Sequence, residues 1–284
     1  MNQTLTSPPT CAAELAAKVA ASSFYLGMRI LPRPQREAMY AIYGFCRMVD
    51  DIADDAGAAP AVRAAQLGQW RADVAALYHG GAPGQAAFLA PAVARFGLDE
   101  ADFIAVIDGM QMDVDGDIRW PGFATLDLYC DKVASAVGRL SVRIFGMERE
   151  AGLALAHHLG RALQFTNILR DIDEDAAMGR FYLPIEALTA AGMVPTTPMA
   201  LLADPGMDTA ARWLAARAEN HFARAHALLA QKPRGMLIAP RLMESGYARI
   251  LAQMLAKGWH VPRVRVRSSK WRLALAAIRF SLLG

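Results

Sequence analysis

The sequence predicts an all-α protein, and three observations carry that reading. Apolar residues recur at i, i+3, i+4 and i+7 through nearly every long segment, which is the helical period. Strand-like alternation is confined to one short stretch, HVPRVRVRS at 260–268, which reads as readily as an extended linker. Turn-forming clusters (DDAGAAP, HGGAPG, DGDIRWPGF, AAGMVPTTP, ADPG) separate the helical segments, and none is long enough to mark a domain boundary.

Taken in order, PQREAMYAIYGFCRMVDDIAD at 34–54 sets Met39, Ile42, Tyr43 and Cys46 on one face. PAVRAAQLGQWRADVAALY at 60–78 opens on Pro60, which suits a first helical turn because its missing N–H has no intrahelical partner there. GQAAFLAPAVARFG at 84–97 and DEADFIAVIDGMQMDV at 99–114 read as the next two helices. TLDLYCDKVASAVGRLSVRIFG at 125–146 and EAGLALAHHLGRALQFTNILRDIDEDAAM at 150–178 read as the two longest. DTAARWLAARAENHFARAHALLAQ at 208–231 and APRLMESGYARILAQMLAKG at 239–258 close the body.

With 284 residues and no domain-scale linker, a single domain over 1–284 is expected. Hydrophobic residues make up 54 %, yet no run of about 18 uncharged apolar residues occurs, so no membrane span is expected. The first twenty residues lack a positive start followed by a long apolar core, so no secretory signal is expected. Cys11, Cys46 and Cys130 are scattered and form no CxxC pair, which points to a reducing, cytoplasmic setting rather than to disulfides or zinc. A net charge of +3 is too mild to argue for a nucleic-acid partner.

Two stretches resist this bland pattern. CRMVDDIADD at 46–55 places Asp50 and Asp54 one turn apart, with Asp51 beside them and Arg47 one turn earlier. LQFTNILRDIDEDAAMGR at 163–180 places Gln164, Asn167, Asp171 and Asp175 on one face, with Arg170 and Arg180 nearby. A charged stripe is ordinarily a solvated face. These stripes, however, lie at the C-terminal ends of apolar runs, where the helix dipole disfavours anions. A divalent cation relieves that repulsion. Mg2+ suits such a site, since it takes one or two carboxylates and fills its remaining positions with water and phosphate oxygens. Acidic ligands beside arginines fit a polyphosphate, and the apolar remainder of each helix fits a hydrocarbon tail. The chemistry expected is ionisation of a carbon–oxygen bond, with charge stabilised on the departing diphosphate.

Other chemistries find less support. A di-iron bundle calls for Glu and Glu-x-x-His, and neither stripe contains histidine. His157 and His158 read as structural or surface residues, and His79, His221, His226 and His260 as isolated. Neither a P-loop nor a dinucleotide fingerprint is present. Asp113, Asp115 and Asp117 in QMDVDGD read as a solvated helix end. In the tail, Trp271, Leu275, Ile278 and Leu282 share a helical stripe beside Arg272 and Arg279. That stripe suits either packing on the body or lying on an anionic membrane surface.

Four segments together resemble the squalene/phytoene synthase family: SSFYLGMRILP, YAIYGFCRMVDDIADD, YCDKVASAVG and LGRALQFTNILRDIDEDAAMGRFYLP. The resemblance covers roughly 22–258 and implies one isoprenoid-synthase helical bundle with a central cavity, a core of about 20–258 and a basic tail at 263–284. It implies Asp50, Asp54, Asp171 and Asp175, with Asn167, as ligands of Mg2+, for which Mn2+ can substitute. Arg47 and Arg170 match diphosphate-contacting arginines, Ser23 and Phe24 a lid, Tyr129 the tyrosine near the reacting carbons, and Gln164 the glutamine before the second motif. Carotenoid-type members read more like YCYxVAGxVG, whereas Asp131 and Ser135 stand here, which is similar to the presqualene-diphosphate-forming branch of bacterial hopanoid pathways. The implied reaction joins two farnesyl diphosphates into presqualene diphosphate without NADPH, and hands the product to a downstream squalene-forming enzyme. A non-catalytic scaffold of the same fold is expected to lose aspartates from one or both motifs, and both are intact.

Overall fold

The computed structural model describes residues 28–116 and 118–266, and among them there is no β-strand. Helix α1 (Arg33–Ala53) follows Pro32 and carries Pro34 in its first turn, where a missing N–H costs nothing. Helix α2 (Pro60–His79) likewise starts on its proline. The segment 84–97, expected as one helix, divides into a 3-10 turn (Gly84–Leu89) and α3 (Ala90–Phe96). Asp73 holds that turn, its carboxylate accepting from the Gln85 backbone N–H at 2.9 Å. Helix α4 (Glu100–Asp115) stops at Gly116, whose φ of 75° is the left-handed conformation that glycine adopts without strain.

The two longest expected helices are both interrupted. The first becomes α5 (Phe123–Cys130), one π turn (Asp131–Ser135) and α6 (Ala136–Ile144). The second runs as α7 (Arg149–Arg170), breaks at Asp171 and resumes as α8 (Ile172–Ala177). Short helices α9 (Ile185–Ala190) and α10 (Pro198–Leu202) lead to α11 (Met207–Ala230) and α12 (Ile238–Lys257). Residues 260–266 are irregular, so the alternation there belongs to a linker and not to a strand. No helix among the described residues is long and apolar enough to cross a membrane.

Two apolar clusters hold these helices. One joins α1, α2, α4 and α6 around Phe45, Trp70 and Phe103, with Phe45 edge-on to Trp70 at 5.5 Å and to Phe103 at 5.2 Å between centroids. The other joins α5, α7, α11 and α12 around Leu126, Phe165, Leu214 and Ile250. The α5–π–α6 rod lies between them. It is fastened to α7 by Arg161, which is 4 % exposed. Arg161 donates to both oxygens of Asp127 (2.7 and 2.9 Å), to Asp131 (3.1 Å) and to Ser135 Oγ (3.0 Å). Asp131 also accepts from Arg139. The two residues that depart from the carotenoid-type pattern are therefore partners of one buried guanidinium. A buried cation needs such partners, because leaving it unpaired costs several kcal/mol.

The histidine at 221 is not isolated, as the sequence suggests. It projects from α11 against His157 and His158 of α7, because α7 and α11 pack along one another. His79, His226 and His260 also have partners, in Glu100, Glu244 and Asp208.

The contact between α7 and the π turn rests on Gly160. A Cβ there would lie 2.7 Å from Ser135 Cα and 2.8 Å from its N, backbone atoms that cannot step aside. Gly160→Ala should therefore destabilise despite the better helix propensity of alanine, by about 1–2 kcal/mol net, since overpacking outweighs the gain of about 1 kcal/mol. Gly68→Ala, on the exposed face of α2 with open space around it, should stabilise by up to about 1 kcal/mol. Thermal melts of the two variants should move in opposite directions.

Candidate active site

The first acidic segment closes α1. Arg47 donates to Asp50 at 2.6 Å and to Asp51 at 2.7 Å, the one-turn pairing that its position dictates. Asp54 caps the helix, its N–H bonded to the Asp50 carbonyl, and its carboxylate accepts from Arg180 at 2.6 Å. Arg180 also donates to the Ala53 carbonyl at 3.1 Å, satisfying one of the orphan acceptors at this helix end.

The second segment is a helix break rather than a continuous stripe. Asp171 leaves helical geometry at φ −104°, ψ 14°. Its carboxylate receives Arg170 at 2.5 and 2.8 Å and Arg265 at 2.7 Å. Trp259 fixes the break by donating its indole N–H to the Leu169 carbonyl at 2.8 Å. Arg263 pairs with Asp173 and Arg265 also with Glu174, so the segment after α12 lies along the acidic helix. The Asp175 carboxylate takes no hydrogen bond from the described residues. The Arg180 N–H bonds to the Asp175 carbonyl at 2.9 Å, so Arg180 ties the two acidic segments together.

Between them stands Asp113, which the sequence suggests is solvated. It is instead an enclosed acceptor: Tyr129 donates to one oxygen at 2.9 Å and Tyr182 to the other at 2.6 Å, the two rings stacking 5.3 Å apart. Helix α4 turns Asp113 inward while Asp115 points out to Gln111. Burial raises the pKa of Asp113 above the ordinary carboxylate value, against the pull of Arg180 and of the two hydroxyls. Burial and Asp113 push the Tyr129 phenol well above its ordinary value, so it is neutral and donates.

Below this polar mouth is a cavity of about 370 Å3. Its walls are Met39, Ile42, Val106, Met110, Val137, Leu159, Leu163 and Met243, drawn from α1, α4, α6, α7 and α12. Arg47, Asp50, Tyr129, Gln164 and Asn167 complete the lining. Cys46 is in the wall too, its thiol pushed up to about 12 by burial, and therefore an apolar neighbour and not a nucleophile. A second hollow is lined by Asp54, Asp113 and Arg180 together with Arg63, Arg119 and apolar residues such as Val114 and Ile118.

The carboxylates are under electrostatic strain. Asp50 is raised to about 6 by burial and by Asp54, with Arg47 opposing. Asp175 is raised to about 7 by burial and by Asp171, with Arg180 opposing. Asp113 raises both, so the two segments face a common space. Asn167 donates to Gln164 at 3.5 Å, while its Oδ1 is buried with no donor. Buried acceptors are ordinarily satisfied, so an unpaired oxygen lining the same cavity as Asp50 fits a cation ligand.

Of the residues singled out in the sequence, all but two are brought together here. Ser23 and Phe24 lie outside the described residues, as does the tail beyond residue 266. Sequence reasoning missed Asp113, Tyr182 and Arg265. The alternating aspartates of QMDVDGD and the tyrosine of RFYLP were the available signals for the first two; Arg265 had none beyond its charge.

The sequence and fold match known proteins over most of their length. The squalene/phytoene synthase family model matches residues 17–272. A presqualene diphosphate synthase of Zymomonas mobilis is 56 % identical over 92 % of this chain and 89 % of its own. One from Rhodopseudomonas palustris is 54 % identical over 88 % and 89 %. Among solved structures, a ligand-bound dehydrosqualene synthase superposes with a TM-score of 0.78 at 25 % identity, covering 96 % of both chains. A squalene synthase from Alicyclobacillus acidocaldarius gives 0.72 at 27 % identity, covering 89 % of this chain and 97 % of its own. With its two acidic segments meeting at Arg180 over an apolar cavity, the chain belongs to the squalene/phytoene synthase family.

Proposed function

We propose that the protein condenses two farnesyl diphosphates head to head and releases presqualene diphosphate, on one isoprenoid-synthase domain. The observation that carries this is the pairing of a strained polyanionic mouth, ringed by Arg47, Arg170, Arg180 and Arg265, with a greasy cavity beneath it. An anionic head and a hydrocarbon tail is the ligand this contrast selects. The likeness to the presqualene diphosphate synthases named above supports that product, and the product's two joined C15 chains support farnesyl diphosphate as substrate.

The donor set fits Mg2+: Asp50 and Asp54 on one side, Asp171, Asp175 and the unpaired Asn167 oxygen on the other are hard oxygen ligands. Bound there, the metal would stabilise negative charge on the leaving diphosphate. The chain's own residues supply the rest. Arg47, Arg170 and Arg180 are held by carboxylates within reach of the mouth, and their guanidinium forks suit phosphate oxygens equally well. The apolar walls exclude water from the cation that forms when the C1–O bond breaks with its electron pair on oxygen. They also hold the second prenyl chain so that its double bond meets that cation. Loss of a proton closes the cyclopropane, and the second diphosphate stays attached. The Tyr129 phenol, neutral and donating to Asp113, serves as a polar handle near the reacting carbons and not as an ionised base.

Three outcomes test this. First, Asp50→Asn and Asp175→Asn should each lower turnover by about 100-fold or more while the fold persists. The folded values of about 6 and about 7 lie above the unfolded carboxylate value of about 3.9. The native state therefore keeps protons that the unfolded state has lost, and ionisation costs stability as pH rises from about 4 through 7. In metal-free buffer Asp175→Asn should match the parent near pH 4 and melt higher near pH 8. A lower melting temperature at pH 8 contradicts the strained-carboxylate reading.

Second, Mg2+ together with a non-reactive farnesyl diphosphate analogue should raise the melting temperature well beyond either alone, because Mg2+ sheds its waters reluctantly. Equal stabilisation by Mg2+ alone would mark a preformed structural site instead. Third, labelled farnesyl diphosphate with Mg2+ should give presqualene diphosphate as the main product, unchanged by NADPH. Squalene formed only with NADPH, or a conjugated C30 hydrocarbon without it, would assign a different product.

A further inference from the structure

We infer that His157, His158 and His221 form a second, separate metal site, one that takes a Zn2+-class transition-metal ion between α7 and α11. One nitrogen of each imidazole lies within 4.8 Å of the other two. The His158 and His221 Nδ1 atoms face each other at 3.0 Å. The ring centroids are 4.7, 5.8 and 5.2 Å apart. Three imidazoles bound at about 2.0–2.1 Å to one tetrahedral ion bring their ligating nitrogens to about 3.3 Å and their centroids to about 5 Å. The pair of His158 and His221 is within a few tenths of an ångström of that spacing before any ion arrives, and His157, whose nitrogen lies within 4.8 Å of both, completes the triad by a side-chain rotation on the exposed rim.

Without a metal, the facing Nδ1 atoms of His158 and His221 can share one proton, one nitrogen donating and the other accepting. A cation replaces that proton and engages both lone pairs. The neutral form that ligation requires is the favoured one. Burial lowers all three histidines, His221 to about 4; Arg161 acts in the same direction at each, and the neighbouring histidines do so at His158 and His221. Arg224 further lowers His158, and Arg139 lowers His157. Asp127 opposes this at His157 and His221 and supplies the nearby negative charge. Its carboxylate is already taken by Arg161, so it belongs to the surroundings and not to the ligand set. Three nitrogens and no free carboxylate select Zn2+, Ni2+ or Cu2+ over Mg2+. His157 is exposed, which leaves the fourth position open to water.

The site is distinct from the carboxylate mouth in both ligand type and metal preference. It would staple α7 to α11 independently of substrate. The test uses the metal-free full-length protein titrated with Zn2+ in excess Mg2+, followed calorimetrically and by thermal melting. One Zn2+ should bind per chain and raise the melting temperature. His158→Asn and His221→Asn should each weaken that binding by about 100-fold and abolish the shift. Asp50→Asn/Asp171→Asn should leave both intact. Co2+ in place of Zn2+ should show the intense visible bands of four-coordinate geometry, lost in His221→Asn. If the His158 or His221 variant fails to fold, as judged by circular dichroism, His157→Gln on the exposed rim provides the same comparison. Zn2+ uptake unchanged by the histidine variants, uptake lost with the aspartates instead, or no saturable uptake at all would each overturn the assignment.

Discussion

Everything around the cavity answers one constraint: several carboxylates must sit beside apolar walls without driving the helices apart. Like charges one turn apart repel, and burial strengthens the repulsion by lowering the local dielectric. The chain meets this with arginines of very different sequence separation. Arg47 comes from the same helix as Asp50, Arg180 from beyond α8 to reach Asp54, and Arg265 from beyond α12 to reach Asp171. Each long-range pair also closes the fold, since Arg180 and Arg265 bring late segments of the chain back to the ends of α1 and α7. Asp50 and Asp175 stay incompletely neutralised, and burial with a neighbouring carboxylate raises both.

A second device sets where Tyr129 points. The π turn after α5 inserts an extra residue per turn, which rotates the helix downstream relative to the one upstream. Tyr129 on the near side reaches Asp113, while Asp131 and Ser135 on the turn itself reach Arg161. Gly160 lets α7 come close enough for this. The same helix then presents Leu163, Gln164 and Asn167 to the cavity within the next two turns. A buried ion pair on one face of α7 thus positions the polar lining on another.

What was legible in the sequence is what local periodicity encodes. Helical repeats gave the elements, and wheel positions put Asp50 beside Asp54 and Gln164 beside Asn167. What was not legible depends on contacts between elements. An uninterrupted wheel through 164, 167, 171 and 175 hides the break at Asp171, which Arg170, Arg265 and Trp259 hold from both sides. Asp113 reads as solvent-facing within its own helix, because its two tyrosines come from 16 and 69 residues away. His221 looks isolated for the same reason, its neighbours lying 63 residues upstream on a packed helix. Residues paired by topology leave no mark at helical spacing.

The ion pairs at the mouth also determine what can enter it. In the free protein each guanidinium is held by a carboxylate, so a lone cation faces sites already partly neutralised, and taking the carboxylates would strand the arginines. A lone diphosphate faces the converse problem: it can take the arginines only by stranding the carboxylates. Under the proposed function, a cation and a diphosphate arriving together would answer both, since the carboxylates would exchange guanidinium for metal and the guanidiniums carboxylate for phosphate. Such an exchange would leave fewer charges unpaired than either step alone, since breaking a single half-buried pair costs the desolvation of the partner left behind. On that reading the arginine pairs would act as a placeholder for the substrate's own charges, holding the mouth together until a metal–diphosphate complex of the matching signs took their place. Run backwards, the same exchange would describe release, with the pairs between Arg47 and Asp50 and between Arg180 and Asp54 seen in the free protein re-forming as the diphosphate leaves.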